Sequence, residues 1–172
     1  MKIKRAGVLA FLGMLMLGAT LIIGCAGGGG TETPATSHFE TGGISFDYPS
    51  TWRVLQSDDP MRVAYLSEVS TNTTLQVIKE APPGFTLKTY HDNMVIAMMV
   101  GDPISGRSVN VGGLSGYETV FNAKINNIDY RLRLISVEKD GIFYDIVCAT
   151  SPAYFDEVNE DFNTVVNSFE VQ

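Results

Sequence analysis

Two histidines and two cysteines in 172 residues leave little material for metal chemistry or disulfide architecture. His38 and His91 stand far apart, and no His-x₃-His, Cys-x₂-Cys or His-Glu-x-x-His spacing occurs. A dedicated transition-metal site is therefore not expected, and no cofactor is indicated. Basic residues are also scarce, 12 Lys and Arg against 19 Asp and Glu, so the electrostatic footprint that phosphate binding needs is missing and nucleic acid is excluded as a partner. No repeat or heptad recurs, and plentiful aromatics exclude a disordered or collagen-like chain. What remains is one domain with an appendage.

The appendage lies at the start. Lys2, Lys4 and Arg5 precede an uncharged apolar run from Ala6 to Ile23, the n-region and h-region of an export signal. Basic residues resist translocation, which keeps that end in the cytoplasm while the run enters the bilayer. Leu21-Ile22-Ile23-Gly24-Cys25 then resembles the lipobox of prokaryotic lipoproteins. The resemblance implies cleavage between Gly24 and Cys25 and a diacylglyceryl group on the Cys25 thiol. The competing reading is an uncleaved anchor: 18 uncharged residues fall near the lower limit for spanning a bilayer, roughly 17–25. Both place the domain on the outer face of a prokaryotic cytoplasmic membrane.

Residues 1–24 are thus read as signal, 25–37 as tether and 38–172 as domain. Gly27 to Gly30 and the Thr-rich stretch after them cannot bury enough apolar surface to order themselves. Thirteen such residues reach roughly 20 Å as a coil. The glycines do not cradle phosphate, because no strand precedes them and no Gly-Lys-Ser/Thr follows. Without the three basic residues of the signal, nine basic groups face 19 acidic ones. Anionic lipid repels such a surface, so membrane attachment falls to acyl chains on Cys25, each buried methylene contributing about 0.8 kcal/mol.

Other reactive residues read as structural. With Cys25 lipidated, Cys148 is the remaining thiol, in an apolar, β-branched run that suits a buried hydrophobe better than a nucleophile. Gly113-Leu114-Ser115-Gly116-Tyr117 misses the Gly-x-Ser-x-Gly frame of a nucleophile elbow at its last position. No catalytic residues are assigned. Asp58-Asp59-Pro60 reads as a solvated turn before it reads as an ion site. Asn72-Thr73-Thr74 is a glycosylation sequon, usable in a host that glycosylates exported chains.

Period-two alternation marks strands at Ile44–Pro49, Trp52–Gln56, Arg62–Glu68 and Thr74–Lys79, then at 116–125, 128–138 and 142–150. Asn126-Asn127 and Asp140-Gly141 sit at the turns, where positive φ is required. Leu87, Tyr90, Met94, Ala97 and Met98 recur at helical spacing within about 86–100; a methionine-rich face is core first and adaptable binding surface second. Ser151-Pro152 predicts a helix start with Asp156 and Glu157 at its positive end. Phe155, Val158, Phe162, Val165, Val166 and Phe169 form its apolar stripe. Tyr130, Leu132 and Leu134 face one way while Ile135 and Val137 face the other, so both sheet faces need covering. The expected fold is α/β of the α+β type: a mostly antiparallel sheet flanked by helices on both faces.

Three segments carry a family likeness: Ile44-Ser45-Phe46-Asp47-Tyr48-Pro49-Ser50-Thr51-Trp52, Gly112-Gly113-Leu114-Ser115-Gly116-Tyr117, and the ending Asn167-Ser168-Phe169. In this order they resemble the superfamily of PsbP from photosystem II and the Ran-binding protein Mog1, over most of 38–172. The resemblance implies a Mog1/PsbP-like α/β/α sandwich and a role in binding or assembly, not catalysis. The lipobox and glycine tether depart from the plant photosystem subunit. The expected function is a lipid-anchored, non-catalytic extracytoplasmic module acting on an envelope protein. The alternatives are a small-molecule or divalent-ion carrier, using Asp58-Asp59 or a pocket beside the methionine helix, and, last, a hydrolytic enzyme.

Overall fold

Turn chemistry organises the chain. A computed structural model describes residues 35–172; Gly24, Cys25, the signal and the tether up to residue 34 lie outside the described residues. The strands are β1 Thr36–Thr41, β2 Ile44–Pro49, β3 Arg53–Val54, β4 Arg62–Glu68, β5 Thr73–Glu80, β6 Ser105–Val111, β7 Leu114–Ile125, β8 Ile128–Lys139, β9 Ile142–Thr150 and β10 Glu170–Val171. Two helices, α1 Leu87–Met98 and α2 Phe155–Ser168, complete the set with a 3₁₀ turn at Pro152–Tyr154. Asn126 and Asn127 have φ of 49° and 66°, Asp140 and Gly141 of 54° and 77°. These are the two-residue turns that match the twist of flanking strands, and they make β7, β8 and β9 a continuous meander.

All pairings are antiparallel, in two sheets. Seven strands run in the order β3-β4-β5-β9-β8-β7-β6, and β1-β2-β10 form a separate small sheet. The domain's opening strand therefore leaves the main sheet, a difference from the single sheet expected. It does so because β1 and the chain's last residues take both edges of β2: Phe39 pairs with Phe46, and Val171 with Ile44.

Register divides the side chains of the large sheet into two sets. Leu134 opposes Val147 and Ser136 opposes Asp145 on one face; Ile135 opposes Ile146 and Val137 opposes Tyr144 on the other. The second set joins Ile44, Phe46 and Trp52 and the α2 stripe Phe155, Val158, Phe162, Val165, Val166 and Phe169 in one core. Trp52 meets Phe162 edge-on at 5.9 Å, and Phe46 stacks near Phe169 at 6.3 Å. Each such side chain is worth roughly 1.5–3 kcal/mol of transfer free energy when fully buried. Residues of the first set meet α1.

Local differences have local causes. β1 already includes Thr36 and Ser37, which find backbone partners in Pro49 and Tyr48. The stretch 52–56 keeps only Arg53–Val54 as strand before Ser57, Asp58 and Asp59 take over as turn. Ser151 makes no side-chain cap; Pro152 opens the 3₁₀ turn and α2 starts at Phe155, with Asp156 and Glu157 in its first turn. Strand β6 was not anticipated, its Ser-Gly-Arg-Ser-Val-Asn-Val pattern carrying little apolar alternation. No helix of the described residues is long and apolar enough to cross a membrane.

Candidate functional site: a groove beside the first helix

Helix α1 begins at Thr86, whose hydroxyl accepts the Thr89 N–H at 3.3 Å. Its buried side chains are Tyr90, His91, Met94 and Val95. Ala97, expected on that face, is exposed, and His91 and Val95 complete the stripe instead. The stripe is displaced because Tyr90 and His91 reach polar groups set into the sheet. The Tyr90 phenol donates to Asp145 Oδ2 at 2.6 Å, and the Ser136 hydroxyl donates to Asp145 Oδ1 at 2.5 Å. His91 Nδ1 lies 2.9 Å from Ser136 Oγ, and Nε2 lies 2.8 Å from Thr119 Oγ1.

Proton count orders this chain. While Asp145 is ionised, Ser136 spends its one hydroxyl proton on it, so the ring N–H comes from His91 Nδ1. Nε2 is then the acceptor for the Thr119 hydroxyl. Burial pushes His91 down to about 4, so the ring is neutral at pH 7. Burial pushes the Asp145 carboxyl up to about 7, against the downward pull of Ser136 and Tyr90. Burial and the Asp145 charge also raise Tyr90. This direction of donation opposes a serine nucleophile, in which the histidine must accept the serine proton, and Ser136 is fully buried.

Above the chain lies an open groove of about 270 Å³, lined by Lys88, His91 and Asp92 of α1, residues 106–108 of β6 and residues 117–119 of β7. Lys88 Nζ pairs with Asp92 at 2.7 Å and lies 5.8 Å from the centre of the Tyr117 ring. Strand alternation turns Glu118 to the opposite face from Tyr117 and Thr119. There its carboxylate accepts from Arg107 Nε at 2.7 Å and Arg133 Nε at 2.8 Å. Arg133 Nη1 also donates to Asn159 and Asn163 of α2, at 3.2 and 2.7 Å. Burial raises the Glu118 carboxyl, but the two arginines prevail and hold it below the usual range.

The residues singled out from sequence are dispersed. Asn72 is exposed at the β4–β5 turn with φ of 52°, and its Nδ2 donates to the Tyr130 hydroxyl at 3.2 Å. Asp59 Oδ1 accepts the Met61 N–H at 3.0 Å, closing a turn. Among the described residues, no group of three or more His, Cys, Asp or Glu could hold a metal ion. Cys148 is fully buried, its thiol pushed up to about 12 by burial. Gly113 to Gly116 belong to a β-hairpin, not a strand-to-helix turn. His38 lies 2.7 Å from Asp47 at the surface. The Asp145 network was missed, although its signal was present: Ser136 and Asp145 break otherwise apolar alternations.

No protein-family model and no curated protein matches the chain. Solved structures do. Cyanobacterial PsbP (CyanoP) from Synechocystis is 17% identical with a TM-score of 0.58, covering 86% of this chain and 98% of that one. LpqN of Mycobacterium tuberculosis, involved in cell envelope biogenesis, is 10% identical with a TM-score of 0.60 and coverage of 83% and 87%. The Saccharomyces cerevisiae Ran-binding protein Mog1p is 12% identical with a TM-score of 0.58 and coverage of 81% and 96%. The mostly antiparallel architecture with its two helices is therefore a PsbP/Mog1-like fold, as the three sequence segments implied.

Proposed function

We propose that the chain is a lipid-anchored, non-catalytic module on the outer face of a prokaryotic cytoplasmic membrane, where it binds or helps assemble another envelope protein. The observation that carries the binding role is the open groove beside α1, whose histidine has both ring nitrogens committed to hydroxyls. Such a histidine shapes a surface; it does not hold a proton ready for transfer. The fold is shared with a Ran-binding protein and with a protein involved in envelope biogenesis, which supports the same role class; fold alone assigns no partner. Helix α1 against one alternate set of the large sheet and α2 against the other support the sandwich arrangement. Location rests on the sequence: basic start, apolar run, and Gly24-Cys25 as cleavage and lipidation site. Asn72, exposed at its turn, is the proposed glycan acceptor where the host supplies the machinery.

A small-molecule carrier would use the same groove. At about 270 Å³ and open, it falls below the roughly 300–1,000 Å³ of pockets that enclose a ligand. Crosslinking in intact membranes followed by purification tests the proposal. One recurrent envelope protein is expected, and repeated recovery of the chain alone overturns it. In parallel, Cys25→Ser is expected to block processing and acylation, leaving a precursor held only by its own apolar run; unchanged processing would remove the lipid anchor.

A further inference from the structure

The seven-stranded sheet ends in two unlike edges. One is β3, two residues long; the other is β6, seven residues from Ser105 to Val111. Val111 and Leu114 flank a two-residue turn and so exchange both of their backbone hydrogen bonds. Alternation from that pair aims Val109 and Arg107 at β7 and leaves the N–H and C=O groups of Asn110, Ser108 and Gly106 pointing away from the sheet. Edges of this length are usually blunted by proline, lysine or a covering element. β6 has neither residue type, and no strand lies beyond it among the described residues.

The surroundings are shaped for a strand. Gly106 and Ser108 present minimal side chains to the groove, Lys88, His91 and Asp92 of α1 form its far wall, and Ile96 stands one turn beyond Asp92 on the same helix row. Cations stand on both faces of the edge: Lys88 over the groove, and Arg107, 65% exposed, on the other side. At this end the exposed charges are Lys88 and Arg107 against Asp92, Arg133 and Glu118 being buried as a pair, while the exposed Asp102 lies at the other end. Beyond the groove, Ile96, Val100 and Ile104 are exposed at 70, 53 and 50%. Val100 and Ile104 follow the same edge, their N–H groups donating to Asn122 and Val120 of β7.

Resting on the binding-module proposal, we infer that β6 accepts an extended segment of the partner protein as an added antiparallel strand, an acidic residue at Lys88 followed by an aliphatic one at Ile96 and Ile104. Helix α1 runs opposite to β6, so an antiparallel guest meets Lys88 first. Lys88 and Ile96 are about 12 Å apart along the helix axis, which a strand covers in about four residues. An even spacing puts both guest side chains on the groove face.

The test uses the full chain in detergent micelles and a synthetic capped peptide, Thr-Glu-Val-Thr-Val-Leu-Thr, with the reversed-order Thr-Leu-Val-Thr-Val-Glu-Thr beside it. The first peptide is expected to slow amide exchange at Gly106, Ser108 and Asn110 by about tenfold or more, and the second to do far less. Ser108→Pro removes an outward N–H that the fold does not use, and it is expected to abolish that protection. Lys88→Glu, at an exposed position, is expected to weaken peptide binding about three- to tenfold. Unchanged exchange at millimolar peptide, or equal protection by both peptides, overturns the inference. So does self-association that Ser108→Pro abolishes, since a second copy would then own the edge. If membrane crosslinking captures the same partner with Ser108→Pro as with the unaltered chain, docking lies elsewhere and the binding module stands; a failure to capture any partner with the unaltered chain overturns the module itself.

Discussion

The Tyr90 phenol donates to Asp145 Oδ2 at 2.6 Å while its ring stacks on Phe143 with centroids 4.4 Å apart. One side chain therefore packs α1 against the sheet and satisfies a buried carboxylate. Tyr90→Phe keeps the ring and deletes the donor, leaving Ser136 as the hydroxyl on Asp145. The expected cost is about 1–3 kcal/mol, the range for a buried charged group losing a hydrogen bond. Losing the donor raises the Asp145 pKa further, so the deficit should be larger at pH 8 than at pH 5. Urea denaturation at both values checks it; an equal loss would show that Asp145 keeps one charge state throughout.

Asp145 and His91 pull stability in opposite directions with pH. The Asp145 pKa is about 7 in the fold against an ordinary value near 3.8, so the folded state holds the proton more tightly. Its contribution is present in full below about pH 4 and is lost as pH rises through 7. The His91 pKa is about 4 against 6.5, so its contribution is present above about 6.5 and is lost as pH falls toward 4. The two offset each other between 4 and 6.5, and Asp145 acts alone from 6.5 to 8. Asp145→Asn should therefore raise stability at pH 8 by about 1–3 kcal/mol and flatten the profile above pH 6.5. A thermal-melting series checks this, and a variant less stable at pH 8 would refute it.

Much of this architecture is legible from side-chain period and turn chemistry. The β7–β9 meander shows through Asn126-Asn127 and Asp140-Gly141, and α2 through its six-residue apolar stripe, because each is encoded within about a dozen residues. β6 does not show, since Ser105 to Ser108 are all exposed and only Val109 and Val111 at its end meet the core, too short a run to impose a readable alternation. β10 is two residues long, defined only by β2 beside it. The groove was hidden for the same reason. His91, Ser136 and Asp145 are 45 and nine residues apart along the chain, and only sheet register together with helix docking unites them.

Gly112 and Gly113 separate two effects that sequence cannot. Both have positive φ, 57° and 79°. A Cβ on Gly112 would lie 2.4 Å from the Phe169 carbonyl oxygen, whereas one on Gly113 would meet nothing within 4 Å. Gly113→Ala should cost about 1 kcal/mol, the backbone strain alone. Gly112→Ala adds a clash with the backbone that joins α2 to β10 and should cost about 2–4 kcal/mol. It should also speed amide exchange at Gln172, whose N–H donates to the Gly43 carbonyl at 2.9 Å, as β10 lifts from β2. Equal costs for the two variants would mean that the C-terminal segment yields without strain.

Arg133 and Glu118 form a buried pair, 2.7 Å apart at Nη2, that also ties β8 to α2 through Asn159 and Asn163. Desolvating two charges usually cancels most of their attraction, so the pair itself adds little, but breaking it strands a charge. Arg133→Met should cost about 3–5 kcal/mol, because Glu118 would keep only the largely exposed Arg107 and both asparagines would lose a donor. Adding Glu118→Gln removes the stranded charge and should recover at least about 1 kcal/mol, a positive coupling in a double-mutant cycle. The Glu118 pKa is lowered in the fold, so its contribution is present above the ordinary carboxylate value and lost as pH falls. In Arg133→Met that loss should begin at a higher pH. Additive costs, with no shift in the acid limb of the stability curve, would show that Glu118 is held by Arg107 alone.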